Sequence, residues 1–155
     1  MKAKLFALFV FSFSLLGAEP KMVSFDKLQH RGWLTYITNQ DTPFTGKAVS
    51  FYANGQKRQE ATYKDGKYDG LWTWWYESGQ KEREQNWKDS KMMSVEAWKP
   101  NGEKCPVTNV KDGNGVIVNY YEDGQKAEET NYKEAKRDGL STEWYPNGQK
   151  KWDTN

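Results

Sequence analysis

Trp72, Trp74 and Tyr76 lie two residues apart, so in an extended strand they project from one side and form the densest aromatic cluster of the chain. Flat, rigid rings in a row suit stacking on sugar rings or on the side chains of a partner. Glu60, Glu84 and Glu129 are the other recurrent candidates, and two carboxyls can serve as a glycosidase acid/base pair. Such a pair needs two unlike environments, whereas each of these follows a glycine at the same interval, which points to a charge ladder instead. Cys105 is the only cysteine and His30 the only histidine, which excludes a Cys/His zinc site, a disulfide framework and a C-x-x-C redox pair. The chain has no glycine-rich phosphate loop and no nucleophile elbow, so neither an enzyme nor a cofactor or metal is expected.

The elements that hold these residues repeat. FYANGQK at 51–57 returns as WYESGQK at 75–81, WKPNGEK at 98–104, YYEDGQK at 120–126 and WYPNGQK at 144–150. Their glycines, Gly55, Gly79, Gly102, Gly124 and Gly148, are spaced 24, 23, 22 and 24 residues apart. Between them lie YKDGKYDG at 63–70, WKDSKMMS at 87–94 and YKEAKRDG at 132–139. Each unit has two β-branched and aromatic runs around a turn with Asn-Gly, Asp-Gly or Ser-Gly at its centre, which predicts a β-hairpin, with the Lys-Asp-Gly segments as the opposite turns. A lone hairpin is marginal in water, so each unit must lean on its neighbours. The expectation is an all-β, elongated, single-layer antiparallel meander.

Alternation assigns Lys47, Val49 and Phe51, with Leu71, Thr73 and Trp75 and their later counterparts, to the packed face. The intervening positions, ending in each unit at Tyr52, Tyr76, Tyr121 and Tyr145, form the wetter face and include Trp72 and Trp74. Tyr52, Trp72, Trp74, Tyr76, Tyr121 and Tyr145 are therefore the candidate binding residues. Coverage of the Trp cluster by neighbouring hairpins or by segment 21–45 is the competing, purely structural reading. The third unit departs from the pattern: Lys99 stands in place of the Tyr, Ser90 and Ser94 in place of the entry glycines, and Cys105-Pro106 opens its return run.

Lys2 and Lys4 precede an apolar run, Leu5 to Leu16, then Gly17-Ala18 and polar Glu19-Pro20, the layout of a signal peptide over residues 1–18 and too short for a membrane span. Export to the periplasm, envelope or medium is expected, with no stable transmembrane anchor. Without those two lysines the 23 cationic residues become 21 against 21 acidic ones, so no charge excess favours nucleic acid. Residues 19–45 are expected to form an N-terminal cap with a degenerate first repeat, and 46–155 the repeat domain.

The pattern G-x-W-x-x-W-Y-x-x-G-Q-K with K-D-G-K-x-D-G resembles the MORN-variant repeat of proteins grouped as YwqK-like antitoxins, over residues 46 to 152, with TPFTGK at 42–47 as its entry. The resemblance implies single-layer hairpin sheets used for protein or lipid contacts, and a partner toxin. Together these readings predict a non-enzymatic, exported protein-interaction scaffold. A glycan or cell-wall binding module using the Trp and Tyr rows is the alternative.

Overall fold

The structure, a computed structural model, describes residues 21–154. The signal-peptide segment 1–18 lies outside the described residues. Among those described, the strands are β1 (Met22–Ser24), β2 (Leu28–Arg31), β3 (Leu34–Ile37), β4 (Gly46–Phe51), β5 (Lys57–Lys64), β6 (Lys67–Trp75), β7 (Lys81–Lys88), β8 (Lys91–Ala97), β9 (Gly115–Tyr120), β10 (Lys126–Lys133), β11 (Lys136–Trp144) and β12 (Lys150–Thr154). One 3-10 turn, Phe25–Lys27, is the only helical element there. The chain is an antiparallel hairpin meander, as the repeat predicts.

It is not one sheet. Strands β4 to β8 run consecutively in a six-stranded sheet whose other edge is β1, and β9 to β12 form a four-stranded sheet. β2 and β3 pair separately, and β1 pairs parallel with β4, Met22 opposite Lys47. The division falls at the degenerate third unit, where Cys105-Pro106 cannot continue a regular ladder because proline lacks an N–H. Residues 105–113 stitch the two sheets instead: Cys105 N–H reaches Ala97 O at 2.8 Å, Val95 N–H reaches Val110 O at 3.2 Å, and Asn109 N–H reaches Val116 O at 3.1 Å. Side chains fill in for missing backbone partners, since Val118 N–H donates to Thr108 Oγ1 and Val116 N–H to Asn109 Oδ1.

Both kinds of turn fall where the repeat places them, and they differ in loop length. At Tyr52–Gln56, Gly55 N–H bonds Tyr52 O and only Gly55 takes a positive φ, 84°. This is a three-residue loop ending in a left-handed glycine rather than a tight two-residue turn. The tight turns are the opposite ones, where Asp65 (φ 50°) and Gly66 (φ 78°) are both left-handed, as are Asp89 and Ser90, and Glu134 and Ala135.

Over the first two units Val49 and Thr73 are buried on the face that alternation assigns as packed, but the N-terminal segment covers the face it assigns as wetter. Phe25, Leu28, Ile37 and Phe44 from the N-terminal segment lie against Ala48, Ala61, Tyr63 and Trp72. Ala48 and Ala61 are 0% exposed, and their small side chains leave room for that covering layer. The opposite, open face leaves Phe51 58% exposed and Leu71 about half exposed. Both faces carry apolar residues, so alternation alone cannot tell which one the N-terminal segment covers. A second core of Met92, Val95, Val110 and Ile117, and a third of Ala97, Cys105 and Val118, close the joint between the sheets.

Candidate functional site

The repeated motif residues join each unit to the next. Tyr52 Oη donates to Trp75 O at 2.7 Å, Tyr76 Oη to Trp98 O at 2.8 Å, and Tyr121 Oη to Trp144 O at 2.7 Å. The ring of that same Trp lies under the preceding unit's Lys: Lys57 Nζ is 5.0 Å from the Trp75 centroid, Lys81 4.8 Å from Trp98, and Lys126 5.0 Å from Trp144. Each Lys also pairs with the recurrent carboxylate, Lys57 with Glu60 at 2.6 Å, Lys81 with Glu84 at 2.9 Å and Lys126 with Glu129 at 2.6 Å. The charge ladder expected from Glu60, Glu84 and Glu129 is thus a row of Glu–Lys–Trp triads on the open face. Burial would raise the Glu60 pKa, but hydrogen bonds from Lys57 and Lys47 outweigh it and hold the carboxyl below its ordinary value.

On the covered face the aromatic residues form a continuous row. Phe44 and Tyr63, Tyr63 and Tyr68, Tyr68 and Trp72, and Trp72 and Trp74 have ring centroids 5.6, 4.7, 4.5 and 4.5 Å apart. Phe25 stacks over Trp72 at 6.3 Å. Arg83 ends the row with its guanidinium carbon 4.3 Å from the Trp74 centroid, and Nη1 donates to Asn119 Oδ1 of the second sheet at 3.0 Å. Asn119 Nδ2 passes the contact to Glu128 at 2.9 Å, and Glu128 also accepts from Arg137 at 3.0 Å. Burial pushes the Arg83 pKa down, and Glu82 beside it acts in the opposite sense. Glu82 is itself pushed up by burial, with Arg83 drawing it back and Glu122 adding repulsion.

The open face carries a cleft of about 500 Å³ at the break in the repeat. Leu71, Val95 and Val110 give it apolar wall, and Glu84, Glu96, Lys104 and Lys111 are its charged groups. Lys104 is paired with Glu96 at 2.7 Å, while Lys111 has no ion-pair partner among the described residues. No group of three His, Cys, Asp or Glu able to hold a metal is present among the described residues. Cys105 is buried, its Sγ 3.2 Å from Tyr120 Oη and 3.6 Å from Thr108 Oγ1. Burial would raise this thiol's pKa, but those hydrogen bonds lower it overall.

With strands, turns and unit-to-unit contacts all repeating at one period, comparison with known families is decisive. Residues 44–65, 68–89, 114–134 and 137–151 match the model described as MORN repeat variant, more than half of the chain. The chain belongs to the MORN repeat variant family. Comparison with the curated proteins and with the solved structures finds no match. The unmatched stretch between 89 and 114 is the third unit, the one that departs from the MORN variant pattern and separates the sheets.

Among the candidate binding residues, the MORN scaffold holds Tyr52, Tyr76 and Tyr121 by their hydroxyls, and Tyr76 is only 3% exposed. Trp72 and Trp74 are partly buried in the aromatic row, and Trp72 Nε1 donates to Gln59 at 3.2 Å. Tyr145 is 46% exposed, and no described residue accepts its hydroxyl. Sequence reasoning missed the Leu71 cleft and Arg83. Its available signal was the third unit itself, since a site unlike the repeat forms where the repeat fails.

Proposed function

We propose that this chain is an exported, non-enzymatic protein-interaction module that receives a protein partner on its open face, at the break between the two MORN sheets. One observation carries the reading: the repeated Tyr, Lys and Trp residues are engaged in joining units, while the 500 Å³ cleft forms where Leu71 of the second unit meets residues of the unmatched third unit, Val95 and Val110 among them. Half-exposed Phe51 and Leu71 give that face apolar anchors, and Lys111, without an ion-pair partner among the described residues, beside paired Glu96 and Lys104 gives it a polar rim. Interfaces concentrate binding in such apolar anchors within a polar surround. MORN repeats are in general protein- or membrane-interaction modules, and at pH 7 the segment after the apolar leader has no net charge to favour a polyanion.

The partner class fits a toxin neutralised by the module, the role the repeat pattern's resemblance implies. Export rests on Lys2, Lys4 and the run Leu5 to Leu16.

The test is affinity capture from an envelope extract with the immobilised chain and its Leu71→Asp variant. The expected result is one or a few proteins retained by the parent and lost by the variant. Capture of nothing by either, or an equal set by both, overturns the reading. Coexpression with the captured protein, scored for restored growth, then decides whether that partner is a toxin.

A further inference from the structure

We propose that the tip of the β2–β3 hairpin and the β5–β6 and β7–β8 turns form a second site, for a neutral sugar chain. The hairpin turns through two residues, Gly32 and Trp33, with Gly32 left-handed at φ 62°, the place a glycine takes in the first central position of a type II′ turn. This turn holds Trp33 outward, 96% exposed. The hairpin behind it is fixed: Arg31 pairs with Asp41 at 3.1 Å and lies 3.8 Å over the Tyr36 ring, and Thr35 N–H bonds Gly66 O at 2.8 Å. An unsupported tryptophan on a braced tip is a contact residue held ready.

Beside it lies a cleft of about 270 Å³ lined by His30, Trp33, Thr35, Tyr68, Trp87 and Ser90. Trp33 and Trp87 supply indole rings for the C–H side of a pyranose, while Tyr68 is held in the aromatic row behind them. Thr35 Oγ1 and His30 Nδ1 are 3.1 Å apart, which leaves His30 Nε2 without a partner among the described residues, and the Ser90 hydroxyl accepts from Tyr68 N–H and keeps its own proton to donate. No charged residue lines this cleft in a chain where 28% of residues are charged. An uncharged lining complements an uncharged ligand. A quaternary ammonium would use the rings but not the hydroxyl and imidazole groups, and would find no carboxylate. At the two turns an extended peptide would find Gly66 N–H and O and Ser90 N–H already bonded within the chain.

Trp87 and Ser90 also line an adjoining cleft of about 540 Å³ with Met92, Met93 and Ala135, so the ligand is longer than one ring. The charged groups there are two lysines, Lys91 and Lys136, and two acids, Asp112 and Glu134, which balance and favour a neutral chain over an anionic one. This site shares no residue with the Leu71 cleft, and each stands or falls without the other.

The experiment is titration of the full chain with N-acetylchitotetraose, cellotetraose and tetramethylammonium, followed by tryptophan fluorescence and by the indole N–H signals in NMR. Saturable binding of one tetrasaccharide, with shifts at the Trp33 and Trp87 indoles, is expected. Trp33→Ala should weaken it about tenfold with unchanged circular dichroism, and Leu71→Asp should leave it unaltered. No shift with either tetrasaccharide, binding unaffected by Trp33→Ala, stronger binding of tetramethylammonium, or a captured protein lost by Trp33→Ala without sugar binding, would each overturn the proposal.

Discussion

Tyr76 Oη donates to the carbonyl oxygen of Trp98, 22 residues away, while the Trp98 ring lies under Lys81. One residue of the third unit is thus held twice by the second, through its backbone and through its side chain. The same double hold links Tyr52 and Lys57 to Trp75, and Tyr121 and Lys126 to Trp144. In a one-dimensional array such nearest-neighbour terms decide whether marginal hairpins are stable together.

Removing one hydroxyl should therefore weaken the array measurably. Tyr76→Phe leaves the Trp98 carbonyl without its donor and is expected to lower stability by about 1–2 kcal/mol in urea unfolding. Tyr145→Phe, whose hydroxyl bonds no described residue, should change it by less than about 0.5 kcal/mol. Equal effects would mean that the Tyr–carbonyl bonds contribute nothing.

The glycine of the G-Q-K turn answers to two demands. Gly79 is left-handed, and a Cβ there would lie 3.1 Å from Gln56 Oε1 of the preceding unit, whereas Gly124 has nearly the same φ and open space. Gly124→Ala should cost about 1–2 kcal/mol from the backbone alone. Gly79→Ala should cost more, and Gln56→Ala should reduce the difference in thermal melts.

Glu60 makes stability depend on acid. Its folded pKa lies below the ordinary value of 4.5, so its contribution is present above pH 4.5 and is lost as pH falls through the folded value. Chemical unfolding between pH 7 and 3 should show the parent losing this increment, while Glu60→Gln, already without it, falls less steeply. Parallel curves would mean that the Lys47–Glu60–Lys57 contacts carry no linkage.

Glu82 works in the other direction. Burial, with repulsion from Glu122, raises its pKa above 4.5, so the ionised form is disfavoured in the fold. That penalty is absent below pH 4.5 and complete above the folded pKa. Glu82→Gln should raise the melting temperature at pH 7 and lose this advantage in acid, which scanning calorimetry at both pH values will show.

Arg83 bridges the two sheets through Asn119. Arg83→Ala should lower stability by about 2 kcal/mol, the range for hydrogen bonds to charged groups. Amide exchange should quicken first in β8 and β9, on either side of the joint. Unchanged exchange there would place the coupling between sheets in the apolar cores alone.

The chain by itself determined the repeat, its hairpins and the place where it fails. A seven-residue pattern with a fixed glycine carries its own turn chemistry, and Ser90, Lys99 and Cys105-Pro106 announce the irregular unit, because strand and turn preferences are local. The charge ladder of Glu60, Glu84 and Glu129 was likewise visible in the spacing, whereas its pairing with Lys57, Lys81 and Lys126 was not. The tertiary structure alone decided which face is covered, since Ala48 and Trp72 read as wet until Phe25 and Phe44 are seen packed on them. It alone brought Arg83 to Asn119, and Trp33 to Tyr68 and Trp87, from separate segments of the chain. Periodicity registers neighbours along a strand and across one ladder; it carries no information on where a non-repeating segment folds back, and both candidate sites arise at such places.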